Sequence, residues 1–313
     1  MVLSCGETVM DFIPVETVIG AKGYLPAPGG SPLNTAITVG RLGVEAAFLG
    51  KLSTDFFGDE FVARMEENQV STRYLTRVEA PSTLAFVKRG PSGDAQYAFF
   101  TAATADRLLA PTDLPSELPS EVSCLHFGSI ALALPPASET ITELVLREYG
   151  RRVLSFDPNI RPALIDDPAE YRARFERLAT SSTILKLSDA DLAWLYPEES
   201  YEQAVRRTVA LGAPVVIVTR GADGVTGVCS DGTVEVAAVE PATGVVDTVG
   251  AGDSFQGAVL AGLQRAGKLS PSAVAGISRD ELELTLSFAA RVASVTCSRA
   301  GAEPPWIDEL GDR

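Results

Sequence analysis

The stretch Asp247–Leu263, DTVGAGDSFQGAVLAGL, decides how the rest of the chain is read. It sets Gly250, Ala251 and Gly252 between two aspartates, just before an apolar run of helical spacing. Glycines there permit backbone conformations and close approaches that a Cβ would block. A helix opening at such a loop offers unpaired N–H groups and the positive end of its dipole, which together suit a phosphate or a developing anion. The acid at Asp253 then has two readings. It can cap the helix SFQGAVLAGL. Alternatively it is a general base that accepts the proton of a hydroxyl attacking phosphorus, while neighbouring amides stabilise the transferred charge. A divalent metal would offset the repulsion between like charges in the second case. Asp247 is balanced between a turn-capping role and a cation-related one.

Outward from this stretch, strand-like and helical runs alternate. Ser31–Arg41 (SPLNTAITVGR) is spaced for a helix, AAFLGKLS for a strand and GDEFVARMEENQ for a second helix. The strands VSCLHFGSI, RRVLSFDPN, STILKLS and APVVIVTRG follow, separated by the helices ETITELVLREYG, DPAEYRARFERLA and YEQAVRRTVALG. GVTGVCSDGTVEVAAV reads as a hairpin about an Asp-Gly turn, and two long helices, 252–266 and 279–298, close the chain. This is the pattern of a mostly parallel sheet covered on both faces. Two segments break the rhythm. They are residues 8–30 and 82–101, where TLAFVKRGPSGDAQYAFF looks like two strands about a PSGD turn. The expectation is one α/β domain over residues 1–313, with a small antiparallel lid built from about 8–30 and 82–101. No internal repeat or long low-complexity linker divides it.

Composition narrows the function. With 46% hydrophobic and 21% charged residues the chain can bury a full core. A net charge of −15, from 26 basic and 41 acidic residues, argues against nucleic acid as a partner, because phosphate backbones need clustered Lys and Arg. No apolar run reaches the roughly 18 residues of a membrane span, and the N-terminus lacks the basic-then-apolar order of an export signal. Four separated cysteines without CxxC pairs fit reduced thiols in a cytoplasm. The one histidine, His126, lies in an apolar run and reads as a packed strand residue. Histidine-rich zinc sites are excluded, and no GxSxG elbow is present. GxxxxGK[ST] is also absent, and GAGDSFQG has the wrong spacing for GxGxxG.

At this point the chain resembles the ribokinase, or PfkB-type, carbohydrate kinase family nearly end to end. DTVGAGDSF matches that family's C-terminal signature, and GGSPLNTAITVGRLG followed by LGKLSTDFFGD matches the N-terminal one, in the expected order. Within the family GETVMDFIP, YAFFTAATADRLL, LHFGSIAL and SFDPNIRPALI look most like fructokinases. The resemblance implies a ribokinase-like α/β fold with a β-stranded lid, ATP as phosphoryl donor, Mg2+ as cofactor and a small-molecule sugar as acceptor. It implies Asp253 as catalytic base, with Gly250, Ala251 and Gly252 supplying the anion-hole amides. It assigns the sugar to Asp11, Gly29, Gly30 and Asn34. Without the resemblance, Asn34 reads as a helix residue facing solvent.

Arg161 is a plausible clamp on the transferring phosphate, since a guanidinium keeps its charge and offers several donors. For the nucleotide, the resemblance points to Lys186, Ser188, Thr219, Gly221, Gly224 and Gly252. By analogy it puts K+ near Asp247 and Val249, and it implies a homodimer paired through the lid. One departure stands out. The family carries Asn-x-x-Glu where LKLSDADL has Ser188 and Asp191, so the carboxylate expected to hold metal-bound water is one methylene shorter. A kinase for 2-keto-3-deoxygluconate or another small polyol is the alternative enzyme. Its carboxylated substrate would call for an extra cation, for which Lys22, Lys88 and Arg89 are candidates. A non-catalytic sugar sensor on the same fold is the alternative from another class. A Rossmann oxidoreductase is disfavoured by the missing glycine fingerprint.

Overall fold

The computed structural model describes residues 1–18, 20–89 and 95–311. In chain order its strands are β1 (Val2–Cys5), β2 (Val9–Glu16), β3 (Lys22–Gly29), β4 (Ala46–Ser53), β5 (Val70–Val78), β6 (Leu84–Arg89) and β7 (Ala95–Phe100). They continue as β8 (Cys124–Gly128), β9 (Val153–Asp157), β10 (Ile184–Ser188), β11 (Val215–Thr219), β12 (Val225–Cys229) and β13 (Gly232–Val236). Nine of them form one sheet in the order β13-β12-β11-β10-β9-β8-β1-β4-β5. It is parallel from β5 to β11, and the β12–β13 hairpin is added antiparallel at one edge.

Helices cover both faces, as the alternating runs require. On one face lie α1 (Ser31–Arg41) and α2 (Phe56–Glu67); on the other are α3 (Ala137–Glu148), α4 (Pro168–Ser181), α5 (Asp189–Leu195) and α6 (Tyr201–Val209). The first face is completed by α7 (Ala251–Arg265), α8 (Pro271–Ala275) and α9 (Arg279–Cys297). The strands are buried on both sides, so their side chains alternate between two separate cores. Val2, Cys124, Val153 and Ile184 pack towards α1 and α7, whereas Leu3, Leu125, Leu154 and Leu185 pack towards α3 and α4. This is why the strands read as continuous apolar runs. Polar residues interrupt the α7 side: Ser4, His126 and Ser155 are in register across β1, β8 and β9, and Asp157 and Lys186 share that face.

A second sheet, β3-β2-β6-β7, stands off the first and forms the lid. Both segments that broke the sequence rhythm contribute to it, although β2 and β6 pair in parallel, so the lid is mixed rather than purely antiparallel. The PSGD turn at 91–94 lies outside the described residues. Two strands escaped the sequence reading, the first being β1, whose four residues are too short to stand out as a run. The second, VSTRYLTRV, forms β5 at the sheet edge, where partial exposure leaves no apolar run to recognise. Among the described residues no helix is long and apolar enough to cross a membrane, and all four cysteines are free.

Candidate active site

A cavity of about 380 Å3 opens at the carboxyl ends of β1, β8, β9 and β10, the usual place for a ligand in a parallel α/β sheet. Its floor includes Glu7 just past β1, Ser129 past β8, Asn159 and Arg161 past β9, and Lys186 on β10. Gly30, Ser31 and Asn34 at the mouth of α1 and residues 247–250, 252 and 253 at the mouth of α7 form its walls, without Ala251. The lid roofs it with Asp11 and Ile13 of β2, Val87 of β6, and Tyr97 and Phe99 of β7.

Asp253 lies in the first turn of α7, and the cap position belongs to Gly250. The helix-cap reading of Asp253 is therefore replaced by a different set of contacts. Its Oδ1 accepts from Ser31 Oγ at 2.6 Å and its Oδ2 from Asn34 Nδ2 at 2.8 Å. Asn34 is 6% exposed, so the solvent-facing reading was wrong: it points across to α7, not outward. Two buried donors from α1 thus fix the orientation of the carboxylate, and each oxygen retains a further lone pair. Gly30 lets α1 start this close. Its φ is +112°, and a Cβ there would lie 2.8 Å from the Glu7 carbonyl.

The loop before α7 is tied by its own carboxylate. Asp247 Oδ1 accepts from Val249 N and Oδ2 from Gly301 N, both at 3.1 Å. Gly250 has φ +74°, and a side chain on it would collide with Ala302. Ala251 N donates back to Thr248 O at 3.2 Å, so that amide is turned into the loop. The N–H groups of Gly252 and Asp253 have no acceptor among the described residues, as expected for a first helical turn. The Gly250 N–H likewise has no acceptor there, so of the three expected amides only that of Ala251 is paired.

Above them Asp11 is largely buried, and burial raises its pKa to about 7. Arg161 pulls that value down and Asp253 pushes it up. Glu7 is raised to about 7, again chiefly by burial, while it accepts from Ala131 N at 3.0 Å. Arg161 is braced by its own loop: Nη1 donates to Asn159 Oδ1 at 2.7 Å and Asn159 O at 3.0 Å. His126 is 1% exposed, with Nδ1 3.0 Å from Ser155 Oγ. Burial and the nearby Lys186 charge lower its pKa to about 3, so it is a neutral packed residue.

Other expected residues stand apart from the cavity lining. Ser188 and Thr219 are paired at the ends of β10 and β11, close to the turn carrying Gly221 and Gly224. Gly29 lies behind Asp11, where a Cβ would be 2.6 Å from Asp11 Oδ2. Asp191 closes a capping box with Ser188: Oδ2 accepts from Ser188 N at 2.8 Å and Ser188 Oγ at 2.7 Å, and Oδ1 from Ile160 N at 2.7 Å. Among the described residues no three His, Cys, Asp or Glu side chains gather into a metal cage. Sequence reasoning missed Ser31, Glu7, Ser129, Tyr97 and Asp157. Ser31 and Asp157 lie inside quoted motifs, GGSPLN and SFDPN, but nothing in the spacing marks them.

The pfkB family carbohydrate kinase profile matches residues 1–309. A fructokinase of Rhizobium leguminosarum bv. trifolii is 39% identical over 282 residues, which is 90% of this chain and 85% of that protein. A fructokinase from Xylella fastidiosa, solved with bound ATP, superposes with a TM-score of 0.88 at 25% identity, over 99% of this chain and 97% of that one. Another from Vibrio cholerae O395, solved in a fructose, ADP and calcium ion bound form, gives 0.82 at 27% identity, over 96% and 94% of the two chains. By the length of the match as much as by the geometry, the chain belongs to the pfkB family of carbohydrate kinases and is an ATP-dependent sugar kinase.

Proposed function

We propose that the protein is a fructokinase, transferring the γ-phosphoryl group of ATP to a hydroxyl of fructose. The observation that carries the reading is the Asp253 carboxylate, held by Ser31 and Asn34 at the helix mouth beside unpaired backbone amides. A carboxylate within reach of the acceptor hydroxyl takes its proton as attack proceeds. The Gly252 and Asp253 amides, with the α7 dipole behind them, stabilise the charge on the phosphoryl oxygens. Asp11, Asn34 and the backbone at Gly30 hold the sugar, Gly29 leaves room for Asp11, and Arg161 faces the phosphoryl group in transit. The nucleotide lies beyond Lys186 and Gly252, over Ser188, Thr219, Gly221 and Gly224.

Relatives named for fructose support the choice of sugar, and so does the charge of the cavity. Among the described residues only Arg161 and Lys186 bring positive charge to it, against Glu7, Asp11, Asp247 and Asp253. Lys22 and Lys88 are exposed on the lid and do not line the cavity. A neutral ketose suits that balance better than the carboxylated 2-keto-3-deoxygluconate.

Mg2+ fits here as an ion carried on the nucleotide phosphates, since Asp247 and Asp191 already accept backbone N–H groups and no cage of acids gathers among the described residues. When bound, it would neutralise phosphate charge, and Asp191 and Asp247 are the carboxylates proposed to orient its water. A monovalent ion such as K+ is assigned to Asp247 and the Val249 carbonyl. Free thiols fit a cytoplasmic setting. The lid's outer face exposes Tyr24, Phe100 and the neighbouring Phe56, around a Phe12–Phe86 stack at 4.6 Å, which supports a homodimer through the lid. The function is tested by ADP release with Mg-ATP over a sugar panel. Fructose should be the best acceptor, and rapid ADP release without sugar, or a clear preference for a carboxylated acceptor, would overturn the reading.

A further inference from the structure

Asp157 and Lys186 form a buried ion pair in which the aspartate has so far been given no task. They sit on neighbouring parallel strands. The β9–β10 register sets Ser155 beside Ile184 and Phe156 beside Leu185, so Asp157 and Lys186 follow side by side. Lys186 Nζ donates to Asp157 Oδ2 at 2.7 Å, and the two side chains are 5% and 1% exposed. Packed apolar residues in place of a buried ion pair are often neutral or stabilising. The fold alone therefore gives no reason for two charges in this sheet.

The direction of the ammonium supplies one. Lys186 lines the cavity, and a Cβ on Gly252 would lie 3.2 Å from Nζ. An ammonium has three donors, and Asp157 takes one of them. The other two have no acceptor among the described residues, and Lys186 lines the same cavity as Gly252 and Asp253 at the mouth of α7. Burial works against the lysine charge, but Asp157 together with Asp191 and Asp253 outweighs it, and the net shift of the lysine pKa is upward. Asp157 Oδ1 is buried with no partner among the described residues, which leaves a second acceptor for the ammonium as it turns.

We propose that Asp157 is a positioning residue for phosphoryl transfer, holding the Lys186 ammonium aimed at the phosphoryl group over the mouth of α7. The inference rests on the kinase reading. As the bond from the sugar oxygen to phosphorus forms, the bond from phosphorus to the ADP oxygen breaks and its electron pair leaves with ADP. The sugar proton passes to Asp253, and Lys186 offsets charge on the phosphoryl oxygens. Asp157 touches neither reactant and acts only through the lysine.

The test compares Asp157→Asn, Lys186→Met and the double variant with wild type, measuring kcat and KM on fructose after circular dichroism has established folding. Each single change should lower kcat by about 10- to 100-fold, the range for residues that orient a reactive group, with KM for fructose within about twofold. The double variant should be no slower than Lys186→Met alone, because Asp157 has nothing left to position. Wild-type kcat in Asp157→Asn, or a double-variant loss equal to the product of the singles, would overturn the proposal. A single change leaves one buried charge unpaired and can prevent folding, whereas the double variant removes both. If the singles do not fold, wild-type kcat in the double variant overturns the proposal, and a kcat loss at unchanged KM upholds it. Should wild type prefer another sugar, the fructose reading fails, and the same comparison on that sugar still decides the role of Asp157.

Discussion

Several functional side chains here are held by partners far away in the chain. Asp253 is the clearest case: its two donors lie 219 and 222 residues away in sequence. In the proposed reaction this arrangement would separate proton acceptance from anion binding: the Asp253 carboxylate, held by α1, would take the proton, and its amide would serve the phosphoryl group. Asp253→Asn keeps the shape and the Ser31 contact but removes the base. Sugar-dependent ADP release should fall by about 100- to 10,000-fold, the range for loss of a general base, with the melting temperature little changed. A variant that releases ADP at a rate near wild type would rule out Asp253 as the base. The capping box of Ser188 and Asp191 belongs to the same scale. An Asp at that place reaches back to its own N-cap, which gives the shorter side chain a local role that the family's Glu does not predict.

Two elements carry the site, and the first is anchored at its far end. Helix α1 brings Ser31 and Asn34 to Asp253, while Arg41 at its other end binds the segment behind the α7 loop. Arg41 donates to Asn68 Oδ1 at 2.6 Å, Glu303 Oε2 at 2.8 Å and the Pro304 carbonyl at 2.5 Å, and it stacks on Trp306. That segment carries Gly301, which donates to Asp247, and Ala302, which backs Gly250. The anion loop is thus preorganised from behind before any ligand arrives. The lid is the other element: its inner face sets Asp11 among apolar and aromatic side chains, and its outer face is aromatic. Phe100 of β7 is 58% exposed on that outer face. Sedimentation of wild type at micromolar concentration should give about twice the mass of one chain, and Phe100→Asp should give a single-chain mass. A wild-type monomer, or a dimer that persists in the variant, would remove the lid as the interface.

At the scale of the whole molecule, burial of acids sets the response to pH. Burial raises the pKa of Glu7 from 4.5, and of Asp11 from 3.8, to about 7 in the folded protein. The folded state therefore binds more protons than the unfolded chain between those limits, so on their account stability falls as pH rises from about 4 to about 7. For Glu7 alone the effect is on the order of 3 kcal/mol at most. Glu7→Gln keeps an acceptor for Ala131 N and removes the titration. Its melting temperature should fall less than that of wild type between pH 5 and pH 8, as read by thermal denaturation in matched salt. An equal fall in both proteins would show that Glu7 is not buried as an acid.

The sequence by itself determined the layered sheet, the lid segments and the helix mouth at Gly250–Asp253. Each of these is a local signal: buried parallel strands read as apolar runs, helices repeat at 3.6, and a small-residue loop before a helix needs glycine wherever it stands. The tertiary structure alone decided the partners. That Asn34 faces Asp253 instead of solvent, that Ala251 turns its amide inward, and that Asp157 meets Lys186 all depend on strand order and helix placement. These contacts join residues far apart along the chain. No periodicity encodes them, because the register and packing that create them exist only once the sheet has formed.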